Sequence, residues 1–260
     1  MKCKEIIGLI EEQYPVSCAE DWDNPGLIAG DDESEVNKII IALDATDEVI
    51  EQACLQKAEL LITHHPMIFG SVKQINNRTV TGRRILKLIR NGVSCYAMHT
   101  NFDVRGMAKL NEEQLGLRET EPLYPTGEND GCPEGIGRIG YLAEPASYTE
   151  LAELVKKAMG IDSVRCYGST DKKIGKAAVC GGSGRSMVRA AIEKGAEVLI
   201  TGDIDYHTGL DAYAEGLLII DAGHFGTEHV FSEFMTNELK KLCPKCEVTA
   251  AVQASPFTVI

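Results

Sequence analysis

One order of elements occurs twice in this chain, and it limits the possible folds more than any other feature. Residues 40–65, IIALDATDEVIEQACLQKAELLITHH, and residues 177–207, AAVCGGSGRSMVRAAIEKGAEVLITGDIDYH, each read as a strand, a turn, a helix and a second strand. Those second strands are nearly the same run, AELLIT and AEVLIT. The likeness continues downstream, where NGVSCYAMHTNFD at 91–103 and EGLLIIDAGHFGTE at 215–228 both give a glycine, an apolar strand and then a histidine. Strand–helix–strand units share such patterns even when unrelated. Two coincidences in the same order nevertheless favour a duplicated unit, by the logic used for longer repeats. The expected class is therefore α/β: two related lobes with mainly parallel sheets flanked by helices.

The rest of the chain fits this class. Apolar runs at 38–43, 59–63, 93–98, 139–142, 177–180, 197–201 and 217–221 have the length and β-branched content of strands. Helical spacing covers 3–13, 47–57, 79–91, 106–115, 149–159, 185–194 and 228–242, and Ser147 with Glu150 predicts a capping box ahead of Leu151. Prolines and glycines without periodicity fill 118–137, which predicts a connection between lobes. The expected lobes are 1–125 and 126–260, with the C-terminal segment able to pack back on the first lobe.

Composition narrows the functional classes. Against 26 basic residues stand 39 acidic ones, a net charge of −13, so a broad electrostatic hold on nucleic acid is not expected. No apolar stretch approaches the roughly 20 residues of a membrane span, and the N-terminal apolar positions are interrupted by Glu11 and Glu12, unlike a signal peptide. Nine irregularly spaced cysteines suit reduced thiols and a cytoplasmic protein. Cys243 and Cys246 form a lone pair of the CxxC kind, which reads as a surface turn because a zinc ribbon needs a second pair.

Parallel sheets bind ligands beyond the carboxyl ends of their strands, and the histidines gather there. Four expected strand ends carry His64, His65, His99, His207 and His224, and His229 follows in the next turn. Neighbouring residues of an extended chain point opposite ways, so His64 and His65 suit two ions better than one; a solvated turn is the plain alternative. His224 and Glu228 are four apart at an expected helix start, which stacks them on one face; an ordinary helix-entry glutamate would look the same. Asp103 offers a third kind of position, an anionic oxygen four residues past His99. Together His64, His65, Asp103, His224 and Glu228 make a mixed nitrogen and oxygen set for two divalent ions per chain, Zn, Fe, Mn or Co, with Glu228 the candidate bridge.

THHPMIFG, MHTNFD and DAGHFGTEH, with EDWDNPGLIAG near the start and IALDAT at 41–46, resemble the dinuclear-metal-centre family of GTP cyclohydrolase I type 2 homologues, also called NGG-interacting-factor-like proteins. The resemblance covers nearly the whole chain. It implies that these same five residues are the metal ligands, that the metals lie between two α/β lobes, and that the chain forms a ring-shaped homohexamer. It also implies a small-molecule substrate, with GTP the candidate: hydrolysis at purine C8, ring opening and loss of formate.

From the residues alone, the expectation is a metal-dependent hydrolase. A phosphoester hydrolase fits the same ligands, and so does a non-catalytic metal-binding assembly or regulatory interaction protein. His99 is the candidate catalytic residue, as a proton donor or acceptor, or else it orients Asp103. Gly181-Gly182-Ser183-Gly184 reads as a phosphate cradle or as a plain strand-to-helix turn. Trp22-Asp23-Asn24, ahead of Pro25-Gly26, is a candidate to line the site, with the lone tryptophan equally a packing anchor.

Overall fold

A computed structural model describes residues 1–260. In chain order its strands are β1 (Gly26–Ala29), β2 (Lys38–Ala42), β3 (Leu60–Thr63), β4 (Ser94–Ala97), β5 (Arg118–Asn129), β6 (Cys132–Ala146), β7 (Arg165–Tyr167), β8 (Ile174–Ser183), β9 (Val198–Gly202), β10 (Leu218–Asp221) and β11 (Glu247–Ala250). The helices are α1 (Cys3–Gln13), α2 (Asp47–Leu55), α3 (Val80–Arg90), α4 (Thr100–Phe102), α5 (Ala108–Leu115), α6 (Tyr148–Met159), α7 (Val188–Glu193), α8 (Tyr206–Ala214), α9 (His224–Glu228) and α10 (Val230–Leu242). A π-helical turn, Asp103–Met107, links α4 to α5. No helix is long and apolar enough to cross a membrane.

The chain forms two compact units, Met1–Phe102 with Phe231–Ala254, and Asp103–Val230 with Ser255–Ile260. The first holds a five-stranded sheet in the order β1-β4-β3-β2-β11. Its pairs β2·β3, β3·β4 and β2·β11 are parallel, and β1 alone runs antiparallel at the edge. The central strands are buried on both faces, so they read as continuous apolar runs rather than alternating ones. On one face Ile40, Ala42, Leu61 and Cys95 pack with Val49, Ile50 and Ala53 of α2 and Leu88 of α3.

The second unit holds a six-stranded sheet, β5-β6-β8-β9-β10-β7. Its centre, β8·β9 and β9·β10, is parallel, and its outer pairs are antiparallel. Successive residues divide cleanly between its faces, as the period of a strand requires. Ala177, Val179, Val198, Ile200 and Ile220 meet Leu151, Val155 and Met159 of α6, while Ala178, Leu199 and Ile219 pack with Met187, Ala191 and Ala212. Helix α6 starts on the expected capping box, with the Ser147 and Glu150 side chains satisfying each other's backbone N–H groups.

Both units thus contain a βαβαβ run, β2-α2-β3-α3-β4 in one and β8-α7-β9-α8-β10 in the other, with each next strand parallel to the last. The segment 118–137 differs from its reading as a connection between lobes. It makes most of an antiparallel hairpin, β5 with β6, turning at Asp130 and Gly131, both in the left-handed region. β5 is the edge strand of its sheet, where proline is tolerated: Pro125 borders a register slip and Pro133 is exposed, while Pro122 is buried and pairs with Arg138. The short strands β1, β7 and β11 are not legible in the sequence because they are largely exposed and lack the apolar run that marks the equally short, buried β3, β4 and β10.

Candidate metal centre

The site begins at the ends of two neighbouring parallel strands in the first unit. β3 ends at Thr63, and His64 and His65 follow directly; β4 ends at Ala97, and His99 comes two residues later. Each of the three imidazoles offers a ring nitrogen, and these atoms lie within 4.8 Å of one another. His64 is fully buried, with Phe102 and Phe231 against its ring at centroid distances of 6.0 and 5.2 Å. A ring so enclosed holds one orientation.

Hydrogen bonds at Nδ1 orient all three rings. His64 Nδ1 donates to the Met98 carbonyl at 2.9 Å, His65 Nδ1 to Asp44 Oδ1 at 2.8 Å and His99 Nδ1 to Asp23 Oδ1 at 2.8 Å. An acceptor at Nδ1 keeps the proton there and gives Nε2 the lone pair, the arrangement typical of histidines that bind metals. Asp23 is itself well held. Its side chain is wholly buried, and its other oxygen accepts from Thr100 N at 3.0 Å and Thr100 Oγ1 at 2.6 Å. Burial pushes the Asp23 carboxyl up, but the hydrogen bonds from His99 and Thr100 more than reverse this and hold it well below the usual carboxylate range.

The second unit repeats the device. β10 ends at Asp221; Gly223 then takes a positive φ, and His224 opens α9 with Glu228 one turn on. His224 Nδ1 contacts Asp203 Oδ2 at 2.7 Å, and its Nε2 lies 3.0 Å from Glu228 Oε2. Burial lowers the His224 pKa, but the bonds and charges of Glu228 and Asp203 outweigh it and raise the pKa to about 9. The imidazole is therefore cationic at neutral pH. Glu228 is almost fully buried. Both Asp103 and Glu228 act on Cys180: burial first, then these two negative charges, push its thiol up.

Gly181 and Gly182 lie near the end of β8 beside this pair, and the strand passes directly into a 3-10 turn, Gly184–Met187, that leads to α7. β8 runs on to Ser183, and the Gly182 N–H donates to Thr227 Oγ1 at 2.9 Å. Gly182 has φ +62°, and a β-carbon there would run into Glu228 Oε1 and come within 3.3 Å of His224 Nε2. Glycine is needed so that the buried carboxylate can approach the strand.

The structure thus groups His64, His65 and His99 in the first unit, and His224 with Glu228 in the second, where Asp103 and Glu228 both bear on Cys180. His99 is turned by Asp23. Of the ring-orienting carboxylates, sequence reasoning had Asp23 only as part of a site-lining segment and gave Asp44 and Asp203 no role. A signal for two of them existed, since Asp44 and Asp203 stand just past β2 and β9, at polar positions ending apolar runs. His207 lies exposed in the first turn of α8, and the His229 ring stacks on Phe225. Cys243 is buried rather than on the surface, and all nine cysteines are free thiols.

The donor set suits borderline divalent ions: imidazole nitrogens oriented through Nδ1, and the buried Glu228 carboxylate, whose negative charge a cation would neutralise. Residues 1–258 match the family Duf34/NIF3 (NGG1p interacting factor 3). The chain belongs to this family. Among Duf34/NIF3 relatives, the GTP cyclohydrolase 1 type 2 homolog of Clostridium acetobutylicum is 36% identical, over 98% of this chain and 96% of its own length. A homolog of the same name from Clostridium perfringens is 38% identical, over 88% of this chain and 87% of its own. Among solved structures, a Bacillus cereus protein related to NIF3 superposes with a TM-score of 0.95 at 28% identity, covering 100% of this chain and 99% of the other. Reduced HcgD from Methanocaldococcus jannaschii gives a TM-score of 0.81 at 31% identity, covering 96% and 97%.

Proposed function

We propose that this Duf34/NIF3 chain is a metal-dependent hydrolase in which His64, His65, Asp103, His224 and Glu228 hold two divalent ions, with Glu228 as the bridging carboxylate. The observation that carries the reading is the trio of imidazoles at adjoining strand ends, with ring nitrogens within 4.8 Å of one another and each Nδ1 engaged by an acceptor. These contacts support the reading because a buried Asp23 carboxylate is tolerable only while His99 and Thr100 satisfy it.

When bound, such ions supply Lewis acidity and bring the pKa of a coordinated water to about 7. In this reading His99 is the general base: with Asp23 holding the proton at Nδ1, its Nε2 would accept one from the attacking water and return it to the leaving group. The buried carboxylate of Glu228 offsets the repulsion between two cations. The relatives' names point to GTP, in which case hydrolysis at purine C8 opens the ring and releases formate on the way to a dihydroneopterin triphosphate. The same reading carries a cytoplasmic homohexamer, and a monomer in light scattering would contradict that part.

The test is to purify the protein, count ions per chain, and follow formate and phosphate release from GTP and from simple phosphoesters. Wild type is expected to turn over one of these and a His65→Ala, Glu228→Ala double variant neither. Formate marks the cyclohydrolase and phosphate the phosphoesterase. Equal release by wild type and variant overturns the enzyme reading, and bound ions without any turnover leave a metal-binding assembly.

A further inference from the structure

Two aromatic side chains beside the histidine trio stand in the open. Trp22 is 63% exposed and Phe69 is 56% exposed, although each is large enough to gain much from burial. Both stand edge-on to the His99 ring, Trp22 with centroids 5.9 Å apart at 79° and Phe69 at 5.6 Å and 83°. The His99 ring also lies 5.3 Å from that of His64 and 5.5 Å from that of His65. The exposed pair therefore flanks His99, a partly buried ring that adjoins both other imidazoles of the trio.

Hydrogen bonds, rather than packing, hold the pair in place. Asn24 Nδ2 donates to the Ile68 carbonyl at 2.7 Å, which ties the loop of Trp22 to the loop of Phe69. Asp23, between Trp22 and Asn24, accepts from Asn24 N at 2.7 Å and from His99 Nδ1 at 2.8 Å through one oxygen, and from Thr100 through the other. The network that turns His99 thus also fixes Trp22, and Asn24 brings in Phe69. A chain that only needed these rings for its core would bury them. Exposed aromatic surface on hydrogen-bonded loops is available to a ligand, and a flat ring gains most from it because it can stack or meet it edge to face.

We propose that Trp22, Phe69 and His99 form a subsite for a planar heteroaromatic ring carried by the substrate, placing that ring against His99. The assignment deepens the hydrolase reading but its core does not depend on catalysis: the ring is held by Trp22 and Phe69, neither of which is a metal ligand. It names the chemical class that the site selects, a purine-like or pterin-like ring, over an aliphatic or purely phosphorylated compound.

Trp22 is the only tryptophan in the chain, so its emission reports directly on this subsite. The experiment titrates the purified protein, with and without chelator, with guanosine, adenosine, pterin, ribose 5-phosphate and tripolyphosphate. Saturable quenching by at least one ring compound, and none by the two ringless probes, is expected. Phe69→Ala is expected to weaken that binding about fivefold or more, Phe69→Tyr to restore it, and Trp22→Ala, read by calorimetry, to weaken it comparably. Melting temperature and sedimentation should stay those of the wild type, since both side chains are exposed. The proposal is overturned if no ring compound quenches, if ringless probes quench equally, or if Phe69→Ala changes nothing. It is equally overturned if the substitutions alter sedimentation while ring binding persists, which would make the patch a contact between copies. Ring binding without formate or phosphate release sinks the hydrolase reading and leaves the subsite standing; turnover indifferent to the ring does the reverse.

Discussion

At the scale of single residues, the proposed chemistry depends on small groups that turn larger ones. Asp23 never touches the strand-end histidines His64 and His65 through any bond described above, yet it sets which nitrogen of His99 carries the proton. Asp23→Asn is expected to keep the fold and cut turnover by about 10- to 100-fold, the usual cost of removing such a partner, as read from kcat for formate or phosphate release. The sign of its pH dependence follows from its depressed pKa. A carboxyl held below its unfolded value stabilises the native state above about pH 4 and loses that contribution as pH falls through the folded value. Wild type should therefore exceed Asp23→Asn in stability at neutral pH, with the gap closing in acid denaturation. Gly182 is the second such position. Gly182→Ala meets both a positive φ and Glu228, so metal content measured on the purified variant is expected to drop while the far-UV spectrum stays native.

At the scale of elements, the parallel strands and their helices carry the stability, and the loops after them carry the proposed function. Helix α6 shows how local the determinants are. Ser147 and Glu150 cap its first turn, and Leu151, Val155 and Met159 lay one face on the second sheet. Ser147→Ala is expected to cost about 1 kcal/mol in a denaturant titration without changing turnover, since nothing in the site touches this helix end. The hairpin β5–β6 makes the opposite point. Its sequence has the prolines and glycines of a linker, and it is a strand pair because β8 offers β6 an edge to pair with. A neighbour supplied by the fold outweighed local propensity.

At the scale of the whole molecule, ions that bind only the folded chain should stabilise it. Zinc at about a hundredfold its dissociation constant is worth about 2.7 kcal/mol, so chelation should lower the melting temperature while leaving both sheets formed at ambient temperature. The gain on adding zinc back should grow from pH 6 towards pH 9. His224 has a raised pKa of about 9, and its proton competes with the metal less as pH approaches that value. A zinc effect that shrank over this range would mean that His224 is not a ligand. The same raised pKa predicts that, without metal, the stability from the His224 ion pairs is present below about pH 6.5 and is lost as pH rises through about 9.

The sequence by itself determined the α/β class, the family, most strand and helix positions, and the placing of histidines at strand ends, because periodicity and short motifs are written locally along the chain. Tertiary structure alone decided which carboxylate turns which ring. Asp23 lies 76 positions from His99, Asp44 lies 21 from His65, and Asp203 lies 21 from His224. It also decided that Phe231–Ala254 returns to the first unit, where β11 pairs with β2, and that Trp22 stands exposed rather than buried. These contacts join residues far apart in the chain, and a pattern of neighbours along the chain says nothing about which distant groups the packing of sheets and helices will bring together.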